Sequence, residues 1–213
     1  MLPNVIKPML AVALPEPFDS DHHLFEIKWD GIRCLAFVEN GRSRLQSREL
    51  MDITSQFPEL DCLADLPDGT VLDGELVAMD GSRPSLGKIQ SRALLQDQHR
   101  IDFLSRSSPV VYIVFDLIYV SGASITGKPL LERRRALEQL LCGLRPGQIL
   151  LSEAVLGQGH DLFHAVENMG LEGIMAKCLD GQYRPGKRTA LWKKIKLKGS
   201  SRATRQHPST VWQ

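Results

Sequence analysis

The chain has 213 residues, of which 43% are hydrophobic and 24% are charged, as in a globular protein that buries its own core. No apolar run approaches twenty residues and the N-terminus lacks a secretory pattern, so we expect a cytoplasmic protein without a membrane partner. The four cysteines are far apart and have no histidine at ligand spacing, which argues against a zinc site or a disulfide framework.

Taken in chain order, the apolar patterns predict many strands and a few helices. Residues 1–20 are proline-rich and are expected to be extended. Strands are predicted at 24–29, 32–38, 44–47, 71–79, 110–120, 149–151, 174–177 and 192–197, and helices at 57–66, 86–95, 132–141 and 161–169. Because the strands cluster and do not alternate strictly with helices, the expected fold class is α+β with mostly antiparallel sheets.

Three local patterns refine this outline. Asn40-Gly41 is a hairpin-turn signal between two predicted strands. The helix predicted at 132–141 carries Leu137, Leu140 and Leu141 on one face, which is expected to pack against the core. Residues 199–213 have the composition of a linker or disordered tail, which leaves residues 1–198 as one predicted domain.

The net charge of +1 hides an uneven distribution of charge along the chain. Nine basic residues and no acidic residue follow Tyr183, whereas the preceding part carries 17 basic and 25 acidic residues, a net of −8. A cationic segment on an acidic body indicates a polyanionic partner, such as nucleotide phosphates or a nucleic-acid backbone. A solvated basic tail fits the same pattern.

The tetrapeptide Lys28-Trp29-Asp30-Gly31 places a lysine at the end of an apolar strand pattern, beside an acid and a glycine turn. Such an arrangement holds an amine rigidly at a pocket, where it can act as a nucleophile. Chance alone produces K-x-D-G in about one chain in twenty-five of this length, so a surface lysine beside a turn is the commoner explanation of the tetrapeptide by itself. The segments that follow decide between the two interpretations.

Five further segments follow Lys28 in a set order. They are Ser47-Arg48-Glu49, Asp73-Gly74-Glu75-Leu76-Val77, Phe115-Asp116-Leu117, residues 172–177 (EGIMAK) and residues 192–196 (WKKIK). Taken singly, each segment has an ordinary structural explanation: a turn within a sheet, a core aromatic, or a solvated strand face. Taken together and in this order, they resemble the covalent nucleotidyltransferase superfamily, which comprises ATP-dependent DNA ligases, RNA ligases and mRNA capping enzymes.

The details are most similar to bacterial ATP-dependent DNA ligases, including the ligase module of bacterial end-joining proteins. The similar runs are Glu26-x-Lys28-Trp29-Asp30-Gly31-x-Arg33, Phe115-Asp116-Leu117-x-Tyr119, residues 183–188 (YRPGKR) and Trp192-x-Lys194-x-Lys196. The resemblance extends from Pro8 to Lys198. It implies the nucleotidyltransferase fold of DNA ligases and capping enzymes, which is ATP-grasp-like, with helices flanking mostly antiparallel sheets and a nucleotide cleft between them.

The resemblance also implies a role for each residue at these positions. Lys28 would attack the α-phosphorus of ATP as a free amine and form a covalent lysine–AMP intermediate. Glu75 and Glu172 would lie beside the ribose and a Mg²⁺ (or Mn²⁺) ion, and Phe115 would stack on the purine. The other nucleotide-binding positions are Glu26 near the purine edge, Arg33 and Arg48 at ribose or phosphate oxygens, and Lys177, Lys194 and Lys196 near the phosphates.

Nicked double-stranded DNA is the partner that the resemblance implies, with AMP passing from Lys28 to the 5′-phosphate before the strand is sealed. Ligases of this type continue into an OB-fold domain that closes over the nucleotide, and no such domain fits after residue 198. We therefore expect a monomer that adenylates itself slowly and needs an OB-fold domain or a repair protein in trans to seal nicks. The alternatives are an RNA ligase, a capping-type guanylyltransferase, and a non-catalytic nucleic-acid-binding relic of a ligase.

Overall fold

The computed structural model describes residues 1–144 and 147–197, so the tail predicted at 199–213 lies outside the described residues. The strands are β1 (Leu10–Leu14), β2 (Ser20–Ile27), β3 (Ile32–Glu39), β4 (Arg42–Ser47), β5 (Thr70–Val77), β6 (Met79–Asp80), β7 (Arg83–Pro84), β8 (Val111–Val120), β9 (Ala123–Ser124), β10 (Ile149–Leu151), β11 (Ala154–Gly157), β12 (Gly173–Cys178) and β13 (Arg188–Lys196). The α-helices are α1 (Leu86–Ala93), α2 (Gln98–Ser107), α3 (Leu130–Leu141) and α4 (Gly159–Asn168).

Two sheets contain most of these strands. The first sheet has the order β1-β13-β12-β2-β11, and the second has the order β10-β8-β5-β3-β4 with β9 paired to β8. Within the described residues, only the β1–β13 and β10–β8 pairs are parallel. The expected α+β class with mostly antiparallel sheets is therefore confirmed. No helix in these ranges has both the length and the apolar character needed to cross a membrane.

Three apolar clusters hold the sheets and helices together. The second sheet packs against α1 and α3 through a cluster that includes Tyr112 and Leu137, and the first sheet packs against α4 through Phe25 and Val166. A third cluster joins strands of both sheets, with Trp192 of β13 packed edge-on against Phe115 of β8 at a ring separation of 5.9 Å. Because each buried side chain of this size contributes about 1.5–3 kcal/mol, this cluster fixes the two sheets relative to each other.

The predicted hairpin is present between β3 and β4, with φ of 56° at Asn40 and 64° at Gly41. The helix predicted at 57–66 is instead two 3-10 helices, Thr54–Gln56 and Pro58–Asp65. The structure also contains β1, β11 and α2, which the sequence patterns did not predict. The two strands are only five and four residues long, and α2 buries only Ile101, so none of the three carries a strong periodic signal.

Helix α3 buries more than the predicted leucine face. Leu137 is fully buried and Leu140 packs against the same core, as expected. The buried side also includes Arg133 and Arg134. These arginines are buried because each guanidinium meets a buried carboxylate, Asp116 for Arg133 and Glu26 for Arg134.

Gly31 packs directly against β5, and replacing it with alanine is expected to destabilise the fold. A Cβ atom at this position would lie 2.2 Å from the carbonyl oxygen of Leu76 and 3.0 Å from Cγ of Glu75. We expect Gly31→Ala to lower the free energy of unfolding by about 1–3 kcal/mol, measured by urea denaturation. Gly87→Ala is the matched control, because a methyl group there meets nothing within 4 Å and alanine favours a helix. Equal stability of the two variants would contradict the account.

Candidate active site

A cleft of about 1010 Å³ is lined by residues from both sheets, and its volume is in the range of small-molecule sites. The first sheet and its loops contribute Glu26, Lys28, Glu172, Lys177, Trp192 and Lys194. The second sheet and its loops contribute Arg33, Arg48, Glu75 and Phe115. The cleft thus collects nine of the ten candidate residues, and the tenth, Lys196, contacts it through Glu172.

The strand register explains how Lys28, Glu172 and Lys196 meet. The backbone N–H of Lys28 donates to the carbonyl of Gly173 at 2.8 Å, and Gly173 is also the partner of Lys196 across β12 and β13. Glu172, one residue before Gly173, therefore lies between two lysines. Its Oε2 accepts a hydrogen bond from Nζ of Lys28, and its Oε1 lies 2.5 Å from Nζ of Lys196. The side chain of Lys28 is 20% exposed, so its amine is reachable from the cleft.

The charges around this contact perturb its neighbours. Burial alone would raise the pKa of Glu172, but the ammonium groups of Lys28 and Lys196 outweigh burial and lower it. Burial, followed by the positive charges of Lys196 and Lys28, lowers the pKa of Lys194. Burial and the nearby Glu172 carboxylate raise the pKa of Asp30. These shifts describe a compact group of cations around one carboxylate, which suits an anionic phosphate chain.

Arg33 is fixed by a buried carboxylate on the neighbouring strand. Its Nε and Nη2 donate to the two oxygens of Asp73 at 2.5 and 2.6 Å, and the hydroxyl of Tyr183 donates to the same carboxylate at 2.6 Å. The guanidinium carbon lies 4.5 Å from the ring centroid of Phe115. Arg33 thus lies beside Phe115 and reaches the cleft with its donors already partly used.

Glu26 and Lys177 form a second, more deeply buried ion pair. Nζ of Lys177 donates to Oε2 of Glu26 at 2.7 Å and lies 4.1 Å from the ring centroid of Phe115. Burial lowers the pKa of Lys177, and the Glu26 carboxylate opposes this effect. The sequence resemblance expects Lys177 near the phosphates. The structure places its amine against Glu26 and Phe115, the two residues that the resemblance assigns to the purine.

Glu75 and Arg48 lie in the cleft without the tight pairing seen for the other residues. Among the described residues, the Glu75 carboxylate makes no hydrogen bond or ion pair, although it lies on β5 opposite Arg33. Arg48 is exposed in the turn after β4.

No group of three or more metal-binding side chains occurs in residues 1–144 and 147–197. Glu75 and Glu172 nevertheless provide the carboxylate oxygens that Mg²⁺ prefers, and this ion commonly uses one or two protein carboxylates together with substrate phosphates.

Glu75 makes the stability of the fold dependent on pH. Burial raises the pKa of its carboxyl from 4.5 to about 7, with Arg33 and Lys28 opposing the rise. Because folding raises this pKa, its stabilising contribution is complete below about pH 4.5 and is lost as the pH rises through about 7. We expect the free energy of unfolding of the wild type to fall by about 3 kcal/mol over this range relative to Glu75→Gln, by urea denaturation. Glu132→Gln removes an exposed carboxylate, so its free energy of unfolding should have the same pH dependence as that of the wild type. If the free energy of unfolding of Glu75→Gln changed with pH in parallel with that of the wild type, the prediction would be contradicted.

Sequence reasoning missed the residues that hold the candidate side chains in place. Asp73 lies in a quoted motif, but nothing local shows that it binds Arg33. Arg134 and Ser152 both contact Glu26, from 108 and 126 residues away along the chain. The only sequence signal for them is an arginine within the predicted helix 132–141, whose leucine face is the side expected to pack against the core.

The fold and the cleft define a class of protein: an α+β nucleotidyltransferase domain with a lysine set among cations and carboxylates between two sheets. The comparison with known families agrees. The chain belongs to the ATP-dependent DNA ligase domain family, whose model matches residues 8–196. The resemblance in the ordered motifs is therefore confirmed.

Individual relatives fit this assignment. The DNA ligase-like protein LigB of the SPbeta prophage in Bacillus subtilis is 37% identical over 193 residues, which cover 89% of this chain and 67% of LigB. The multifunctional non-homologous end joining protein LigD of Mycobacterium bovis is 37% identical over 175 residues, 81% of this chain and 21% of LigD. A solved structure of mycobacterial DNA ligase D complexed with ATP and MES is 33% identical with a TM-score of 0.75, covering 91% of this chain and 60% of that one. The chain thus spans only part of each relative.

Proposed function

We propose that this chain is an adenylation domain in which Lys28 attacks the α-phosphorus of ATP. The neutral amine of Lys28, having given up one proton to solvent, forms the new N–P bond and releases a second proton to solvent. The bond from the α-phosphorus to the bridging oxygen breaks, pyrophosphate leaves, and AMP remains on Lys28 as a phosphoramidate. The observation that carries this proposal is the position of the Lys28 amine, which lies partly exposed in the cleft within a group of cations around Glu172.

The remaining residues bind and orient the nucleotide in this proposal. Phe115 offers an aromatic surface to the purine, with Glu26 and Lys177 beside it. Lys194 and Lys196 balance the negative charge of the phosphates, and their strand β13 aligns them with Lys28. The sequence also assigns Arg33 and Arg48 to ribose or phosphate oxygens. Arg33 must bind these nucleotide oxygens with the N–H donors that Asp73 leaves free. The side chain of Arg48 is exposed, so it can extend towards the nucleotide.

The donor set of the cleft also fits a divalent cation. Glu172 and Glu75 are the residues that would hold Mg²⁺ or Mn²⁺, because both carboxylates lie close to the Lys28 amine and Glu75 makes no hydrogen bond or ion pair among the described residues. A bound Mg²⁺ ion supplies charge neutralisation to the triphosphate and the leaving pyrophosphate. Glu172, which accepts a hydrogen bond from the Lys28 amine, would hold this cation together with Glu75.

The later steps follow the family. The AMP group passes from Lys28 to the 5′-phosphate of a nicked DNA duplex, and the 3′-hydroxyl then displaces AMP and joins the strand. An OB-fold domain or a repair protein would assist the sealing steps, and residues 1–198 act as one monomeric, cytoplasmic adenylation domain in this proposal. Family membership and the end-joining relatives support DNA as the nucleic acid.

The proposal is tested by following AMP from the protein to nucleic acid. The chain is incubated with ATP or GTP and Mg²⁺, freed of nucleotide, and then mixed with a nicked DNA duplex or a nicked RNA duplex. We expect an adduct from ATP and transfer of its AMP to the 5′-phosphate of nicked DNA. An adduct formed from GTP, or transfer to RNA alone, would favour a capping-type enzyme or an RNA ligase. DNA binding without any adduct would indicate a non-catalytic relic.

A further inference from the structure

The carboxylate of Glu26 is held at both of its oxygens. Its Oε1 accepts a hydrogen bond from Nη1 of Arg134 at 3.0 Å. Its Oε2 accepts from Nζ of Lys177 at 2.7 Å and from the hydroxyl of Ser152 at 3.3 Å. Glu26 and Lys177 line the cleft, whereas Arg134 and Ser152 are not among the described residues that line it. The carboxylate is therefore positioned by a buried support that a nucleotide does not touch.

Arg134 is itself rigidly placed. Its Nη2 donates to the carbonyl oxygen of Ser152, and its Nε lies 3.3 Å from the carboxylate of Glu138, one turn further along α3. The residue is only 7% exposed. Because a guanidinium is planar and its donors have a fixed geometry, three occupied positions leave it almost no freedom to rotate. Its contact with Glu26 therefore fixes the direction in which the carboxylate faces the cleft.

We propose that Arg134 is a positioning residue that sets the base selectivity of the cleft through Glu26. An ionised carboxylate only accepts hydrogen bonds and has about four lone-pair positions, of which the three described donors use three. The remaining position binds an exocyclic amino group, such as that at C6 of adenine, and repels the carbonyl oxygen that guanine carries there. This inference rests on the proposed function, which places the purine between Phe115 and Glu26.

Helix α3 supplies a matched control for a purely structural role. Arg133 is the adjacent residue, is fully buried, and forms a two-point ion pair with Asp116 at 2.8 Å for each contact. It has no contact with Glu26 among the described residues. Replacing either arginine by lysine keeps the positive charge and loses the planar fork, so both variants carry a comparable packing cost. Only the Arg134 variant changes the support of Glu26.

The test compares how four proteins use ATP and GTP, with each nucleotide in a separate reaction. The proteins are the wild type, Arg134→Lys, Arg134→Met and Arg133→Lys. The readouts are the KM and maximal rate of adduct formation, and equilibrium binding of both nucleotides without Mg²⁺. We expect Arg134→Met to reduce the ATP-over-GTP preference about tenfold or more, mainly through a higher KM for ATP, with Arg134→Lys in between. The maximal rate should change little, because Lys28 and Glu172 keep their contacts. Arg133→Lys should keep the wild-type preference.

Ser152→Ala is the milder second variant for the case in which Arg134→Met does not fold. It removes the hydroxyl donor to Glu26 and should shift the preference in the same direction by a smaller factor. A preference within about twofold of the wild type in a folded Arg134 variant, or an equal change in Arg133→Lys, would overturn the inference. A wild type that binds nucleotide with the expected preference but forms no adduct would overturn the proposed function alone.

Discussion

Replacing Lys28 with arginine or alanine should abolish formation of the covalent AMP adduct. The amine of Lys28 is the nucleophile in the proposed reaction, and neither replacement can attack phosphorus at neutral pH. We expect the rate of adduct formation to fall by at least about 10³-fold, measured by intact-protein mass after incubation with ATP and Mg²⁺. Arginine keeps a positive charge near Glu172, so ATP binding by Lys28→Arg should stay close to that of the wild type.

Lys128→Ala is a suitable control for the loss of a lysine. Lys128 precedes α3 and has a side chain that is 57% exposed, with a surface ion pair to Glu132 as its charged contact. This variant should form the adduct at the wild-type rate, since exposed ion pairs contribute little to stability. An adduct of normal yield on Lys28→Arg would rule out Lys28 as the nucleophile.

Glu172→Gln is expected to give the second-largest loss. Glu172 pairs with both Lys28 and Lys196, and in the proposed mechanism it also binds the cation that accompanies the triphosphate. The amide keeps the size of the side chain but removes the charge that balances two ammonium groups. We expect adduct formation to slow by about 10²-fold or more and to require more Mg²⁺ for half-maximal rate.

The magnesium dependence separates this role from simple destabilisation. A merely destabilised protein would lose activity equally at all Mg²⁺ concentrations, whereas loss of a cation ligand shifts the concentration that is needed. Glu167→Gln on α4 is the control, because its side chain is 59% exposed and lies outside the cleft. A rate within about threefold of the wild type for Glu172→Gln would contradict its assignment to the cation.

The motif order grouped residues that the structure brings together in the cleft. Lys28, Glu172 and Lys196 are far apart along the chain, and the sequence alone grouped them through the resemblance. The structure adds the physical reason, which is the shared backbone contact of Lys28 and Lys196 with Gly173. Their catalytic roles stay predictions until adduct formation is measured. The α+β class followed from strand patterns, because long alternating and β-branched runs such as β8 depend on local sequence.

The support of the Glu26 carboxylate could not be predicted in the same way. The contacts of Arg134 and Ser152 with Glu26 depend on how α3 and the segment after β10 pack against β2, which no local pattern encodes. A buried arginine contradicts the usual preference of charged side chains for solvent. The position of Lys177 depends similarly on which face of β12 meets Phe115. A shift of one residue in the pairing of β12 would turn the Lys177 side chain to the opposite face of the sheet.

The site of AMP attachment shows whether Lys28 is the nucleophile. The chain is incubated with ATP and Mg²⁺, digested under conditions that preserve the phosphoramidate, and its peptides are sequenced by mass spectrometry. We expect one AMP group per chain, attached to Lys28 in the peptide that contains Trp29 and Asp30. AMP attached to any other residue, or bound nucleotide without a covalent adduct, would contradict this prediction.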